Sequence, residues 1–334
     1  MKKLQIALTL LLFTQVNAQQ DFHSSLWYSS PSLLNPAATG TMDEDYTLFT
    51  NYRAQWLTAL DLPFRTNQLS AEFKMGNETM NSGWFGSGVH FTNDATGDTK
   101  IMTNAVSIPI NYVFEMQDDR LFSIGFKPGV INRSINTDFQ TWDNQWNGIS
   151  FDNTLLSNES GARSYTRIDV GTGMYFKKMW RNRSKFDIGL AANHLNAPDA
   201  GYKTLITQTY RQYLFHTSAN IALKNYRFML SPQIIAFFQG PNRDIIIGSS
   251  IDFLLKEGSR RTTFRQQQTF GVGLNYRMND ALIVSMMLKM NGFQIGMSYD
   301  AALNVNRIPT KTVGAVELFL KYSWYKGQKR RYIH

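Results

Sequence analysis

The sequence predicts an all-β fold, a closed antiparallel transmembrane β-barrel of about 14 strands with an N-terminal plug-like segment. Three observations lead to this prediction. The chain begins with an export signal, its apolar and polar residues then alternate with period two, and no later apolar run reaches the length of a membrane-spanning helix. Aromatic residues make up 13% of the chain, with 23 Gly and only 9 Pro, a composition typical of strands.

The export signal occupies residues 1–18. Lys2 and Lys3 precede an apolar run from Leu4 to Phe13, and the signal ends at Ala18 with a small residue two positions before it. The apolar run is too short to span a bilayer, since a helical span needs about 20 residues. We therefore expect cleavage after residue 18 and exclude this segment from the fold.

Composition excludes several classes of function. The chain has no Cys, so an exported protein of this sequence contains neither disulfides nor a metal–thiolate site. Its net charge of +9 falls to +7 once the two signal lysines are removed (9 − 2). Because the basic residues are scattered rather than clustered, we expect contact with outer-membrane lipid and no nucleic-acid partner.

The alternating segments predict the barrel strands. From Phe293 to Tyr299 the odd positions are large and apolar, whereas the even positions are polar or glycine. Such strands also occur in soluble sandwiches, but here they exceed the usual five or six residues, and their apolar faces continue along the whole chain. The predicted strand starts are Tyr46, Thr66, Ser82, Ile101, Arg120, Tyr165, Lys185, Tyr210, Tyr226, Arg243, Thr269, Ala281, Gly292 and Lys311.

An even strand count places both termini on one side, which in a bacterial outer membrane is the periplasm. The predicted barrel covers residues 46–325 and is followed by a short basic periplasmic tail, residues 326–334. Alternate connections should then be long and outward. The stretch from Asn132 to Ser164 is the longest of these, and it carries aromatic residues among polar ones. Its aromatic residues are Phe139, Trp142, Trp146 and Phe151. They are typical either of anchors for a protein partner or of a lid folded over the barrel mouth.

Residues 19–45 precede the first strand and contain turn-forming residues, including Asn35 and Pro36 beside the apolar Leu34. They are the predicted plug, because side chains alone do not fill the lumen of a fourteen-stranded barrel. Asn51, Arg53 and Gln55 share one side of the first strand. A charge on the lipid side costs about 2 to 4 kcal/mol at the midplane, so we expect these residues to face the lumen. There the Arg53 guanidinium should bond carbonyls of residues 34–40.

Catalytic chemistry is not expected. The chain has five histidines and neither a GxSxG nor an HExxH motif. His90 and His216 are interpreted as lumen-facing, and His194 as bonding the loop after it. Paired glycines, Gly171 with Gly173 and Gly271 with Gly273, should let strands curve or leave room for the plug. No catalytic, cofactor-binding or metal-binding residue is assigned.

Several stretches, in order along the chain, resemble the PorP/SprF family, outer-membrane proteins of the type IX secretion and gliding machinery of Bacteroidota. They are Tyr28–Gly40 (YSSPSLLNPAATG), Asn51–Trp56 (NYRAQW), Gly83–Asp98 (GWFGSGVHFTNDATGD), Asn193–Pro198 (NHLNAP), Met297–Asp300 (MSYD) and Gly314–Trp324 (GAVELFLKYSW). The sequence departs from the family pattern at Ala54 and Val316.

The resemblance implies a non-enzymatic outer-membrane barrel without a cofactor. Its partners would be a secreted surface adhesin, which it helps to export or to anchor, or components of the secretion apparatus. The alternative function is that of a passive pore or a transporter of hydrophobic solutes.

Overall fold

The computed structural model describes residues 21–57, 60, 62–76, 83–96, 101–135, 142–152, 154–155, 163–180, 184–199, 208–223, 227–257, 267–303 and 313–326. These residues form one antiparallel sheet, and the predicted signal and most of the predicted tail lie outside them. The strands are β1 Tyr46–Gln55, β2 Phe64–Met75, β3 Gly83–Thr96, β4 Ile101–Ser107, β5 Ile110–Met116, β6 Arg120–Ile135, β7 Arg163–Met179, β8 Lys185–Asn193, β9 Gln212–Leu223, β10 Phe228–Gln239, β11 Asn242–Lys256, β12 Gln268–Arg277, β13 Ala281–Met290, β14 Phe293–Ala302 and β15 Val313–Trp324.

The sheet closes on itself. Each strand pairs with its neighbours in the chain, except that β4 and β5 both pair with β3 and β6 rather than with each other. β1 pairs with β15 along its whole length, from Tyr46 opposite Trp324 to Gln55 opposite Ala315. This β1–β15 pairing is called the seam below. The fold is therefore the predicted closed antiparallel barrel.

Strands β4 and β5 together fill one position in the barrel, so the barrel has the fourteen strands predicted. Both pair with β3, through Ser107 opposite His90 and Ile110 opposite Ser87, and the register is the same on the two sides of the gap. The interruption falls at Pro109, because proline has no N–H to donate to the ladder. A single strand was predicted here, and the proline divides its ladder.

The two faces of the sheet differ as the alternation predicts. On β14 the side chains of Phe293, Ile295, Met297 and Tyr299 are exposed on the outside, whereas Gly296, Ser298 and Asp300 are buried inside. An apolar surface that continues around the whole sheet is what lipid contact requires. Within the described residues, no helix is both long and apolar enough to cross a membrane.

Aromatic rings group at the barrel end where β1 begins and β15 ends, whereas Asp21, which bonds Gln239 and His194, lies at the other end. Tyr46 stacks on Trp324 across the seam with ring centroids 5.3 Å apart, and Tyr322 stacks on Phe293 at 4.4 Å. Tyr and Trp are enriched where hydrocarbon meets headgroups. The stacked rings mark this end of the barrel as one membrane interface.

Residues 21–45 form no strand. They fold into three short 3-10 turns, Trp27–Ser29, Pro31–Leu33 and Pro36–Ala38, and most of their side chains are buried against inward-facing side chains of the sheet. We call residues 21–45 the N-terminal segment. Its role as a plug stays a prediction.

Candidate functional site

The candidate site is the contact between the N-terminal segment and the inner face of the barrel. Two of the three turns in the segment begin with a proline, whose fixed φ suits the first position of a helical turn. Asn35 caps the turn that follows it, because its side-chain oxygen accepts a hydrogen bond from the Ala37 N–H at 3.0 Å. The local sequence thus folds into a compact, turn-rich unit in which many backbone groups form hydrogen bonds within the segment itself.

Asn35 is also the main polar contact of the segment with the middle of the barrel. Its amide nitrogen donates to the Met174 carbonyl at 3.0 Å and lies 3.1 Å from the His216 Nε2 atom. The carbonyl of Ala37 accepts bonds from Asn111, at 2.8 Å, and from the Ser123 hydroxyl. A buried polar turn is stable only when such bonds are made, so these side chains fix where the segment sits.

Glycines on the inner face make room for this turn. A Cβ atom added at Gly125 would collide with the backbone of Pro36 and Ala37, and one added at Gly173 would collide with the Asn35 side chain. Gly86 and Gly189 are in the same position, against Thr39 and Asn35 respectively. Close approach of the segment's backbone explains Gly86 and Gly125, and close approach of the Asn35 side chain explains Gly173 and Gly189; none of the four has an unusual φ. Of the paired glycines singled out in the sequence, only Gly173 lies against the segment, since Gly171 faces Asn193 and Gly271 faces Asp252.

The apolar part of the contact is provided by side chains that point outward from the turns. Trp27 is buried in a cluster with Ile235, Phe237 and Ile246, and Leu34 packs against the edge of this cluster. The Leu34 carbonyl accepts a bond from the Asn193 amide at 3.3 Å. The segment therefore combines an apolar anchor with a hydrogen-bonded turn.

A group of buried ions lies where the segment meets the seam, and it is called the seam ion cluster. Arg53 donates to Glu317 at 3.1 Å and to Asp300 at 3.0 Å, and Arg277 donates to Asp300 at 3.2 Å. Ser25 joins both arginines, because its hydroxyl accepts from Arg53 at 2.6 Å and from Arg277 at 2.9 Å. All five side chains are almost fully buried.

The predicted partner of Arg53 was wrong. The guanidinium lies on the inner face, but it bonds Ser25, Asp300 and Glu317 rather than carbonyls of residues 34–40. The reason is the barrel closure, which places Glu317 directly opposite Arg53 across the seam. Asn51, also on the inner face, donates to Glu317 at 3.0 Å. Gln55 ends β1 half-buried, and within the described residues no hydrogen bond joins its side chain to the N-terminal segment.

A second charged contact holds the start of the segment. The His194 ring lies between two carboxylates, with Nε2 at 2.7 Å from Asp21 and Nδ1 at 2.7 Å from Asp169. Burial alone would lower the pKa of His194, but the charges and hydrogen bonds of the two aspartates raise it to about 10. In the same way burial would raise the pKa of Asp21, and His194 instead lowers it.

The expectation that His194 bonds the loop after it holds only for its backbone, whose carbonyl accepts from the Ala197 N–H at 2.9 Å. The ring bonds Asp169 and Asp21. The sequence contains no pattern that indicates this contact, because Asp21 is a single acid in a stretch without periodicity. Nor did it single out Ser25, whose partners are more than 200 residues away in the chain except for Arg53.

The loop between β6 and β7 carries the other predicted site residues. Trp146 and Phe151 are paired by a β-bridge, and their rings meet edge to face with centroids 5.1 Å apart. They are 48% and 50% exposed, and Ile149 at the tip between them is 89% exposed. Trp142 precedes the 3-10 turn Asp143–Gln145 and is half-buried, while Phe139 lies outside the described residues. This small hairpin presents an apolar tip at the barrel end opposite the start of β1 and the end of β15.

Comparison with known proteins gives one family. The family described as type IX secretion system membrane protein PorP/SprF matches residues 16–322. No curated protein is significantly similar in sequence to this chain.

Solved structures of similar shape include three outer-membrane barrels of low sequence identity. The toluene transporter TbuX of Ralstonia pickettii is 10% identical, with 88% of this chain and 93% of that chain covered and a TM-score of 0.49. A FadL homologue of Pseudomonas aeruginosa is 10% identical, with 87% and 93% covered and a TM-score of 0.48. BamA of Haemophilus ducreyi lacking POTRA domains 1–3 is 7% identical, with 84% and 70% covered and a TM-score of 0.43. At these identities and scores the likeness says nothing about what this chain binds.

Proposed function

This chain belongs to the type IX secretion system membrane protein PorP/SprF family, and we propose that it helps to export a secreted adhesin or to anchor it at the cell surface. The protein is an outer-membrane β-barrel of the type IX secretion system. In our proposal it acts through protein contacts and not as an enzyme. The observation that carries the proposal is the exposed aromatic hairpin at one barrel end, beside a lumen occupied by the N-terminal segment.

The N-terminal segment supports a role in contact rather than in passage. Gly86 and Gly125 leave room for its backbone, and Gly173 and Gly189 leave room for its Asn35 side chain. Its start and its middle are held by the His194 contact and the seam ion cluster. We propose that it is a plug, which leaves no path through the lumen for a secreted polypeptide.

The hairpin supports a partner contact at the outer end. Exposed Trp and Phe side chains on a preformed hairpin bury a large apolar area with little loss of conformational entropy, which is why such residues dominate binding energies at interfaces. We propose that Trp146, Ile149 and Phe151 insert into an apolar recess of the adhesin, and that the predicted residues Phe139 and Trp142 belong to the same surface.

The topology of insertion follows from the same proposal. Residues 1–18 direct export, the Tyr46–Trp324 end of the seam lies at the periplasmic interface, and residues 326–334 form a basic periplasmic tail. The apolar outer face contacts lipid. The hairpin then lies outside the cell, where an adhesin is displayed.

The proposal is tested by changing the hairpin and measuring surface display of the adhesin that co-purifies with the protein from outer membranes. We expect Trp146→Ala with Phe151→Ala to lower display and co-purification strongly, while the amount of folded barrel is unchanged. Trp180→Ala is the matched control, because this Trp is 44% exposed at the opposite barrel end. Normal display in the double variant would contradict the proposal, as would a loss in the Trp180 variant alone. Co-purification of secretion components without any adhesin would favour a role within the apparatus.

A further inference from the structure

Two buried polar side chains on the inner wall have hydrogen-bonding atoms without a partner. His90 on β3 is 3% exposed, and neither ring nitrogen makes a hydrogen bond. Ser70 on β2 is 0% exposed, and its hydroxyl makes none either. The two residues are directly opposite each other in the register, so their Cβ atoms are about 5 Å apart. Buried polar atoms in proteins are nearly always bonded, and such a pair points to a bound group.

A cation faces the same space. Lys127 on β6 projects inward near the same pair, because Gly129, two residues after it on the same face, lies opposite Ser107, which in turn pairs with His90. Its ammonium group contacts the Leu33 carbonyl of the N-terminal segment at 3.5 Å, the longest distance that qualifies as a hydrogen bond. Within the described part of the chain, no carboxylate lies at ion-pair distance from Lys127. The nearest acids, Asp169 and Asp21, are bonded to His194.

The chemistry of these three side chains favours an anion. Lys127 offers three N–H donors, Ser70 one O–H and a neutral His90 one N–H. Phosphate and carboxylate oxygens accept hydrogen bonds, and such bonds are about twice as strong when one partner is charged. A metal cation would need carboxylate or carbonyl ligands that this space does not offer among the described residues.

The site lies just inside the part of the barrel wall where the ladder between β4 and β5 is interrupted. His90 pairs with Ser107, the last residue of β4, and Pro109 interrupts the ladder two residues later. Lys127 directly precedes Pro128 on the neighbouring strand β6. Both prolines lack an N–H, so adjacent strands lose ladder bonds at the same height. An anionic group could therefore reach the site from the lumen or, as a lipid headgroup, through the wall.

We propose that Ser70, His90 and Lys127 form a buried binding site for a phosphate or carboxylate group. The site is separate from the aromatic hairpin, and its occupancy does not depend on the partner role proposed above. A bound anion would also link β6 to the N-terminal segment through the Lys127 contact with Leu33.

The test uses the whole mature barrel in neutral dodecyl maltoside micelles and measures thermal unfolding. Three titrations are compared: inorganic phosphate, chloride at equal ionic strength, and dodecyl phosphate. A ligand that binds only the folded state raises Tm in proportion to the logarithm of its concentration. The variants are Lys127→Met, Ser70→Ala and His90→Leu. Ser250→Ala is the control, because this Ser is also buried on the inner wall, on the distant strand β11.

We expect phosphate or dodecyl phosphate, but not chloride, to raise Tm of the unchanged protein and of Ser250→Ala. The apparent affinity should fall about tenfold or more in Lys127→Met, as expected for the loss of a charged hydrogen bond. If inorganic phosphate raises Tm, the natural ligand is a free anion. If only dodecyl phosphate raises Tm, the natural ligand is a lipid headgroup. Ser70→Ala and His90→Leu remove unbonded polar atoms, so they fold and serve as independent tests. A flat response to both phosphates, or equal responses in all variants, overturns the proposal and leaves water as the occupant.

Discussion

Arg53→Ala tests the seam ion cluster most directly. The substitution removes three charged hydrogen bonds at once, to Ser25, Glu317 and Asp300. Arg277 still neutralises Asp300, but Glu317 is left fully buried with only neutral donors, from the Ser24 hydroxyl, the Ser25 and Leu26 N–H groups and Asn51. An acid that loses its cation inside a protein becomes an uncompensated buried charge.

The uncompensated charge of Glu317 determines how much stability the substitution removes. Breaking a buried ion pair by removing one partner lowers the free energy of unfolding by about 3 to 5 kcal/mol. The four neutral donors that remain on Glu317 favour the lower end of this range. The same loss is expected for Arg53→Met, which removes the charge but keeps most of the side-chain volume. If the uncompensated Glu317 charge is the cause, adding Glu317→Gln to Arg53→Met should raise the free energy of unfolding again by about 1 to 2 kcal/mol. A purely structural effect of the lost side chain would not be reversed.

The assay is denaturant unfolding of the refolded barrel, followed by Trp fluorescence and by mobility on unheated gels. Limited proteolysis of residues 21–45 reports whether the N-terminal segment is released. Arg65→Ala is the matched control, because Arg65 is exposed at the end of β2 and its loss should change stability by about 0.5 kcal/mol or less. Equal stability and equal protease protection in the two variants would refute the assigned role of Arg53.

Three further predictions concern the N-terminal segment. Gly125→Ala should destabilise the barrel by about 1 to 3 kcal/mol, because the methyl group overlaps Ala37, and it should cost nothing further once residues 21–45 are deleted. Protease protection around Asp21 should be greatest below about pH 6.5 and should be lost as the pH rises through about 10. The reason is that the pKa of His194 is about 10 in the folded protein and 6.5 in the unfolded chain, so folding is stabilised by the protonated ring. The variant His194→Gln should remove this pH dependence. In planar bilayers the intact barrel should conduct poorly and the deletion variant should conduct freely; an intact barrel that conducts freely would instead favour a passive pore.

The fold could be predicted because its cause is local and repeated. Every strand that spans a membrane must separate lipid-facing from inward-facing residues. This requirement produces an alternation of apolar and polar residues along the strand, as from Phe293 to Tyr299. The break at Pro109 escaped the prediction, because a proline within an alternating stretch does not disturb the alternation of side chains. The break is visible only in the backbone hydrogen bonds between the strands.

The contacts of the site could be predicted only in part. The inward direction of Arg53 follows from the energy of a charge in lipid, which needs no knowledge of other strands. Its partners depend on closure, because Glu317 becomes its neighbour only when the last strand pairs with the first. His194 and Asp21 meet across 173 residues of chain, and neither lies in a pattern that identifies the other. Long-range pairs of this kind carry no local signal.

The seam has a consequence for biogenesis. Ser24 and Ser25 bond Glu317, which is made some 290 residues later, so the beginning of the chain cannot take its final place until the end of the chain exists. A nascent or truncated product that stops before β15 therefore lacks both the closing edge and the docking point for Ser24 and Ser25. Assembly of this protein must wait for the completed polypeptide, which makes its maturation a single late event rather than a gradual one.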